Sequence, residues 1–183
     1  MKNNKLLVLS GPSGAGKTTL LQEMCNTLSF KSNISYTTRR IRPGEVDGVD
    51  YHYISLKTFH EMDKQNLFIE KTNIFNHYYA TPLSIADVKE NTVVDIDLNG
   101  VRAFKKNHID ANYVLIMPPS KILLEQRLIA RGQDAVSLPT RLASYDLYDA
   151  NRDLFDTCIV NDSIASLFEQ MSKYIDRINK TLI

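Results

Sequence analysis

The run Leu6-Leu7-Val8-Leu9-Ser10-Gly11-Pro12-Ser13-Gly14-Ala15-Gly16-Lys17-Thr18-Thr19-Leu20-Leu21 constrains this chain more than any other stretch. Gly11, Gly16, Lys17 and Thr18 satisfy the spacing G-x-x-x-x-G-K-[ST], with an apolar strand pattern before it and a helical pattern after it. Glycines let such a loop turn its backbone N–H groups inward around a polyphosphate. Lys17 can place an ammonium between the outer phosphates, and Thr18 can offer its hydroxyl to Mg²⁺. The helix that follows aims the positive end of its dipole at the same spot. A plain strand-to-helix turn would need neither Lys17 nor Thr18.

A chain of 183 residues suits one buried core with appendages. Its 22 Lys and Arg nearly balance 21 Asp and Glu. Net charge therefore gives no reason to expect a nucleic-acid or membrane partner, and any electrostatic focusing must be local. The apolar runs are too short to span a membrane, and the first residues enter the strand without a cleavage pattern, so a cytoplasmic location is expected. Cys25 and Cys158 lie far apart without metal or redox spacing, which leaves them core packing.

Apolar runs alternate with helical patterns, predicting an α/β domain with a mostly parallel sheet covered on both faces. Strands are expected at about 5–10, 33–37, 51–54, 67–75, 93–97, 113–117 and 157–160. Helices are expected at about 16–28, 56–64, near Asn99, from a cap at Ser120 to Arg131, at 139–154 and at 164–178. Residues 35–81 read as a compact insert of mixed structure, in which 38–50 has no core pattern of its own. Arg141, Tyr145, Tyr148 and Arg152 share one stripe of their helix. The two tyrosines read as packing residues, and His77 as a surface turn residue.

The insert holds a second constellation. Arg39, Arg40 and Arg42 crowd behind Ser35, and Tyr51 follows. Guanidinium groups and a phenol suit a monophosphate held by paired hydrogen bonds. Glu70, Tyr79 and Thr81 add a carboxylate and hydroxyls. A glutamate accepts from two adjacent N–H donors, which guanine presents at N1 and N2 and adenine does not. Asp95 and Asp97 end a strand expected beside the first, where parallel sheets bind ligands, and so suit magnesium or substrate. Asp97 could instead cap the helix near Asn99. Arg127 and Arg131, four apart, could face phosphates or form a solvated face with Glu125.

These pieces together resemble guanylate kinase over nearly the whole chain. The resemblance rests on residues 10–17, Thr37-Thr38-Arg39, Arg42-Pro43-Gly44-Glu45 with Asp50-Tyr51, Phe68-Ile69-Glu70 and Tyr78-Tyr79. It continues in Asp95-Ile96-Asp97 with Gly100-Val101, Pro118-Pro119-Ser120, Arg131-Gly132 and Ile159-Val160-Asn161-Asp162. It implies a P-loop NTPase-type parallel core (about 1–34, 82–130 and 142–183), a small α+β GMP-binding insert (35–81) and a short lid (131–141). It also implies Mg²⁺-dependent phosphate transfer from ATP to GMP, and to dGMP as well, by a monomer or homodimer.

By position, the resemblance assigns ATP to Gly11, Pro12, Ser13, Gly14, Ala15, Gly16, Lys17, Thr18 and Thr19, with Arg127 and with Asn161 near the adenine. Arg39, Arg42, Tyr51 and Tyr79 would hold the GMP phosphate, and Ser35, Glu70, Thr81 and Asp97 would line the guanine site. Thr18 and Asp95 would serve the metal, and Lys17, Arg39, Arg131 and Arg141 the chemistry. The chain departs from the family pattern at Thr140, where an arginine is expected, and in a lid one residue short. Asn76-His77 replaces a Gly-Asn pair, and Tyr148 replaces a glutamate. Two other readings are a phosphopeptide-binding module without turnover and a sugar-phosphate kinase. The intact phosphate loop disfavours the first, and Ser35, Glu70 and Thr81 disfavour the second.

Overall fold

Strand β1 (Leu6–Ser10) is buried at every position, as a central strand of a parallel sheet must be. The computed structural model describes residues 5–74, 76–132 and 136–180. After β1 come α1 (Lys17–Thr27), β2 (Lys31–Ser32), β3 (Tyr36–Thr37), β4 (His52–Tyr53) and α2 (Leu56–Lys64). The hairpin β5 (Phe68–Ile74) and β6 (His77–Pro82) leads to β7 (Thr92–Asp95) and α3 (Leu98–Lys106). The chain finishes with β8 (Asn112–Met117), α4 (Lys121–Ala130), α5 (Leu138–Asp149), β9 (Thr157–Val160) and α6 (Ile164–Lys180).

Five strands form one parallel sheet in the order β2-β7-β1-β8-β9. Alternation along β1 sends Leu7 and Leu9 to one face and Leu6 and Val8 to the other. The first pair packs against Leu20 and Met24 of α1 and Leu167, Met171 and Tyr174 of α6. The second pair meets Val101 and Phe104 of α3. Helices thus cover both faces, as expected for the class. Truncating a fully buried residue such as Leu7 or Phe104 to Ala would cost about 2–5 kcal/mol.

The second sheet, β4-β3-β6-β5, lies wholly within 36–82. Its β5 and β6 pair antiparallel from Phe68–Pro82 to Ile74–His77, with a bulge between Phe68 and Glu70. Asn76 turns the hairpin at φ 63°, a left-handed conformation that asparagine tolerates. Stacking of Phe59 on Phe68 and Tyr78, at 5.0 and 4.8 Å, fastens α2 to this sheet. Ile69 reaches from β5 into the α3 side of the core, joining the two sheets.

Three local expectations are corrected. The strand expected at 33–37 is reduced to β3 (Tyr36–Thr37) of the second sheet, with β2 (Lys31–Ser32) before it in the parallel sheet, because the chain crosses from β7 to β6 over residues 33–35. The helix expected to reach 154 stops at Asp149, and Arg152 falls in a separate 3-10 turn, bonded to Asp149. The strand expected to reach Asp97 ends at Asp95, since the Asp97 carboxylate accepts from the Gly100 amide at 2.8 Å and caps α3. Phe75, expected to end β5, lies outside the described residues, as do residues 133–135 of the expected lid.

Candidate active site

The phosphate loop follows β1 at the C-terminal edge of the parallel sheet, where open α/β sheets bind ligands. Gly11 has φ 150°, and a Cβ there would stand 2.1 Å from the Ile116 carbonyl oxygen. Gly16 has φ 99°, and its Cβ would stand 2.2 Å from Asn161 Nδ2. Only glycine meets both demands, close approach and a left-handed turn. Gly16 also caps α1 without a side-chain hydrogen bond, so the first-turn N–H groups of α1 have no side-chain partner there. These amides, with the helix dipole, form an anion site.

Lys17 folds back over the loop, donating to the carbonyls of Gly11 at 2.8 Å and Pro12 at 3.2 Å. Its ammonium stands 4.0 Å from Asp95 Oδ1. Burial pushes the Asp95 carboxyl up; Lys17 opposes this, and the nearby Asp97 carboxylate adds to it. Among the described residues, no group of three His, Cys, Asp or Glu side chains could hold a metal by protein ligands alone. A hard cation held by Thr18, Asp95 and substrate phosphates fits this sparse oxygen set, and Mg²⁺ binds in that manner.

A cleft of about 720 Å³ runs from the loop to the second sheet. Gly11, Ser13, Gly14, Gly16, Lys17 and Thr18 line one end, and Ser35, Arg42, Tyr51, Glu70 and Tyr79 the other. Asp95 and Asp97 lie between them, and Arg131 and Arg141 also line the cleft. Arg141 donates to Ser13 Oγ at 2.7 Å, tying α5 to the loop. A second cleft of about 410 Å³ on the outer side of the loop is lined by Thr19, Arg127, Arg131 and Asn161. Asn161 donates to the Ala15 carbonyl at 2.6 Å, and Arg127 donates to the Asn161 carbonyl at 2.8 Å.

Four residues assigned by the resemblance sit behind the cleft wall. Pro12 and Ala15 contribute through the loop backbone, where the Ala15 amide donates to the Pro12 carbonyl at 3.1 Å. Arg39 is nearly buried and donates two parallel hydrogen bonds to the Glu45 carboxylate, at 2.9 and 2.8 Å. That fork pulls the Glu45 carboxyl down to about 2. The Arg39 guanidinium also lies 5.6 Å from the Tyr51 ring centre, so it backs a residue that does face the cleft. Thr81 is fully buried and donates to Glu70 Oε1 at 2.7 Å, orienting the carboxylate from behind.

The structure adds Thr72 and Tyr148 to the cleft lining. Strand alternation would have found Thr72, two residues after Glu70 on the same side of β5. Tyr148 fulfils its packing expectation, buried against Leu98, Leu115 and Met117, yet it borders the cleft as well. Tyr145 packs against the same cluster. Asp97 likewise does both things weighed for it, since it caps α3 and lines the cleft.

A glycine loop between a parallel strand and a helix, at the sheet edge, belongs to the P-loop kinase fold. Shikimate kinase from Bacteroides thetaiotaomicron shares that fold, with a TM-score of 0.52 and 15% identity over 97% of each chain. The family model for guanylate kinase matches residues 3–178. Guanylate kinase from Nitratidesulfovibrio vulgaris is 38% identical over 180 residues, covering 93% of this chain and 86% of that protein. Guanylate kinase from Desulfotalea psychrophila is 38% identical over 174 residues, 90% and 85% of the two chains. The crystal structure of guanylate kinase from Anaplasma phagocytophilum matches with a TM-score of 0.72 and 25% identity, covering 94% of this chain and 84% of that one. The chain therefore belongs to the guanylate kinase family, and its class is nucleoside monophosphate kinase.

Proposed function

We propose that this protein transfers the γ-phosphoryl group of ATP to the phosphate of GMP, giving ADP and GDP. The observation that carries the reading is one cleft with a phosphate loop at one end and an oriented carboxylate, Glu70, at the other. In the reaction an oxygen of the GMP phosphate bonds to the γ-phosphorus as the bond to the β–γ bridging oxygen breaks. The acceptor is already ionised, so the protein's work is to position two anions and neutralise the charge between them.

In this reading the loop amides and Lys17 hold the ATP phosphates, and Arg127 and Asn161 border the nucleoside end. Arg42, Tyr51 and Tyr79 take the GMP phosphate, with Arg39 holding Tyr51 in place. Ser35, Glu70 and Asp97 read guanine, with Thr81 orienting Glu70. Thr18 and Asp95 would hold Mg²⁺, which supplies charge neutralisation on the phosphates. We assign residues 35–81 as the GMP-binding insert and 131–141 as the lid, on the remaining core. Two free cysteines fit a reducing cytoplasmic setting, and among the described residues no helix is long and apolar enough to cross a membrane.

A coupled assay of ADP formation with GMP, AMP, UMP and ribose phosphates in parallel tests the reading. GMP is expected to give a kcat/KM about ten-thousandfold higher than AMP, on the order that hydrogen-bonding sites discriminate. ATP turnover with ribose phosphate alone would return the chain to the sugar-phosphate reading.

Glu70 makes GMP binding sensitive to pH. Burial raises its carboxyl to about 7; the Thr81 bond opposes this and the Asp97 charge adds to it. Guanine needs the ionised form, so affinity is full above pH 7 and lost as pH falls through it. Between pH 8 and pH 6 the Kd for GMP should rise about tenfold. Calorimetry on Glu70→Gln, whose amide does not titrate, should show only the part due to the phosphate of GMP itself.

Arg141→Ala should lower kcat by about a hundredfold and leave the KM for GMP within about threefold. Its present partner is Ser13 in the phosphate loop, so its charge serves the donor side, where it forms at the transition state. A rise in KM at constant kcat would make it a ground-state contact with GMP.

A further inference from the structure

Ser10 is the last residue before the phosphate loop, and its buried hydroxyl donates to the Ile96 carbonyl at 2.6 Å. A serine has a single O–H, so that bond uses it up. Tyr148 Oη lies 3.1 Å from the same Ser10 oxygen. The phenol must then be the donor, and the bonds run in one direction from Tyr148 through Ser10 to Ile96. Ile96 stands between Asp95 and Asp97, the two carboxylates that border the cleft. Burial holds the Tyr148 hydroxyl up to about 12, and the nearby charges of Asp97 and Asp95 add to this. Tyr148 therefore keeps its proton and its donor role throughout the neutral range.

Arg141 lies seven residues before Tyr148, two turns up the same stripe of α5. One helix face thus carries a cation against the loop at Ser13 and a buried phenol against the base of the loop at Ser10. Packing of the Tyr148 ring against Leu98, Leu115 and Met117 fixes the depth of that face, but a phenylalanine ring would pack as well. The hydroxyl adds a fixed register between α5, the end of β1 and the turn that carries the carboxylates.

We propose that Tyr148 is a positioning residue, holding the Arg141 helix in register with the phosphate loop and the Asp95–Asp97 turn through Ser10. It touches neither nucleotide in this account, and it rests on the proposed transfer from ATP to GMP. Misplacing a charged group by a fraction of an ångström costs rate more than affinity, because the contact matters when charge develops.

Tyr148→Phe and Ser10→Ala cut the same chain of bonds from opposite ends while keeping the fold's volume. Each should lower kcat about tenfold with the KM for GMP unchanged, and the double variant should lose no more than either alone. In an Arg141→Ala background, Tyr148→Phe should have no further effect, since the residue it positions is gone. A merely structural role would lower thermal stability and reduce kcat equally in both backgrounds, which would overturn the proposal. Hydrogen exchange on unliganded protein supplies a readout independent of turnover. The amides of Gly11 and Ser13–Gly16 should exchange about tenfold faster in both single variants, and unchanged exchange would likewise overturn it. If the unsubstituted protein made no ADP from ATP and GMP while exchange responded as stated, the functional reading would fall and the register would stand.

Discussion

Lys17→Met is expected to lower turnover by about a thousandfold or more and to leave the fold intact. The ammonium is held over the loop by two backbone carbonyls and stands 4.0 Å from Asp95, with little exposure of its side chain. Once bound substrates displace water from the cleft, a positive charge on the transferring phosphates is worth several kcal/mol, and each 1.36 kcal/mol is about tenfold in rate. Methionine matches the length and apolar stem of lysine, so packing changes little. Two carbonyls lose a donor, but they face the cleft and water can replace it. Steady-state turnover and a thermal melt on the same preparation separate the two effects. Near-normal turnover would show that Lys17 does not act on the transferring phosphates and would remove its catalytic assignment.

The features legible in the sequence were those whose cause is local. The loop glycines, Lys17 and Thr18 signal themselves by spacing, and the Ser120 cap and helix α2 follow from short-range chemistry, with Ser120 Oγ accepting from the Leu123 amide. Features that depend on distant partners were harder to read. Strands β2 and β3 are two residues each and exist because β7 on one side and β6 on the other hold them. The strand character of 77–82 is hidden by a terminal proline and a run of aromatic and small residues without clean alternation. The withdrawal of Arg39 behind the cleft wall depends on Glu45, whose carboxylate also accepts from Tyr53 Oη and the Arg42 amide. The pair stands six positions apart in a loop, and no periodicity signals it. The same holds for Tyr148 and Ser10, brought together across 138 residues.

Substituting Glu70 tests what the base pocket reads. Glu70→Gln keeps the size of the side chain and an acceptor for Thr81, but it replaces one of the two acceptors offered to guanine by an N–H donor. Donor would then face donor at guanine N1 or N2, so kcat/KM for GMP should fall by about a thousandfold. Adenine has an acceptor at N1, so AMP should lose little or gain, and the GMP-to-AMP ratio should narrow by about the same factor. ATP affinity should stay within about twofold, since Glu70 lies on β5 and the phosphate loop at the far end of the cleft. Loss of fold is not a competing explanation, as the sign of the linkage shows. The folded-state carboxyl sits near 7 against an ordinary 4.5, so the fold binds that proton more tightly than the unfolded chain. Stability from this group is therefore present at low pH and lost as pH rises through 7, leaving the ionised Glu70 a destabilising group at pH 8 before substrate binds. Glutamine carries no such charge, and the unliganded variant should melt at an equal or higher temperature at pH 8. A variant that melts higher, binds ATP normally and has lost its preference for GMP would establish Glu70 as the base reader. An unchanged GMP-to-AMP ratio would instead make it a wall residue, and guanine selection would have to come from Ser35 and Asp97 alone.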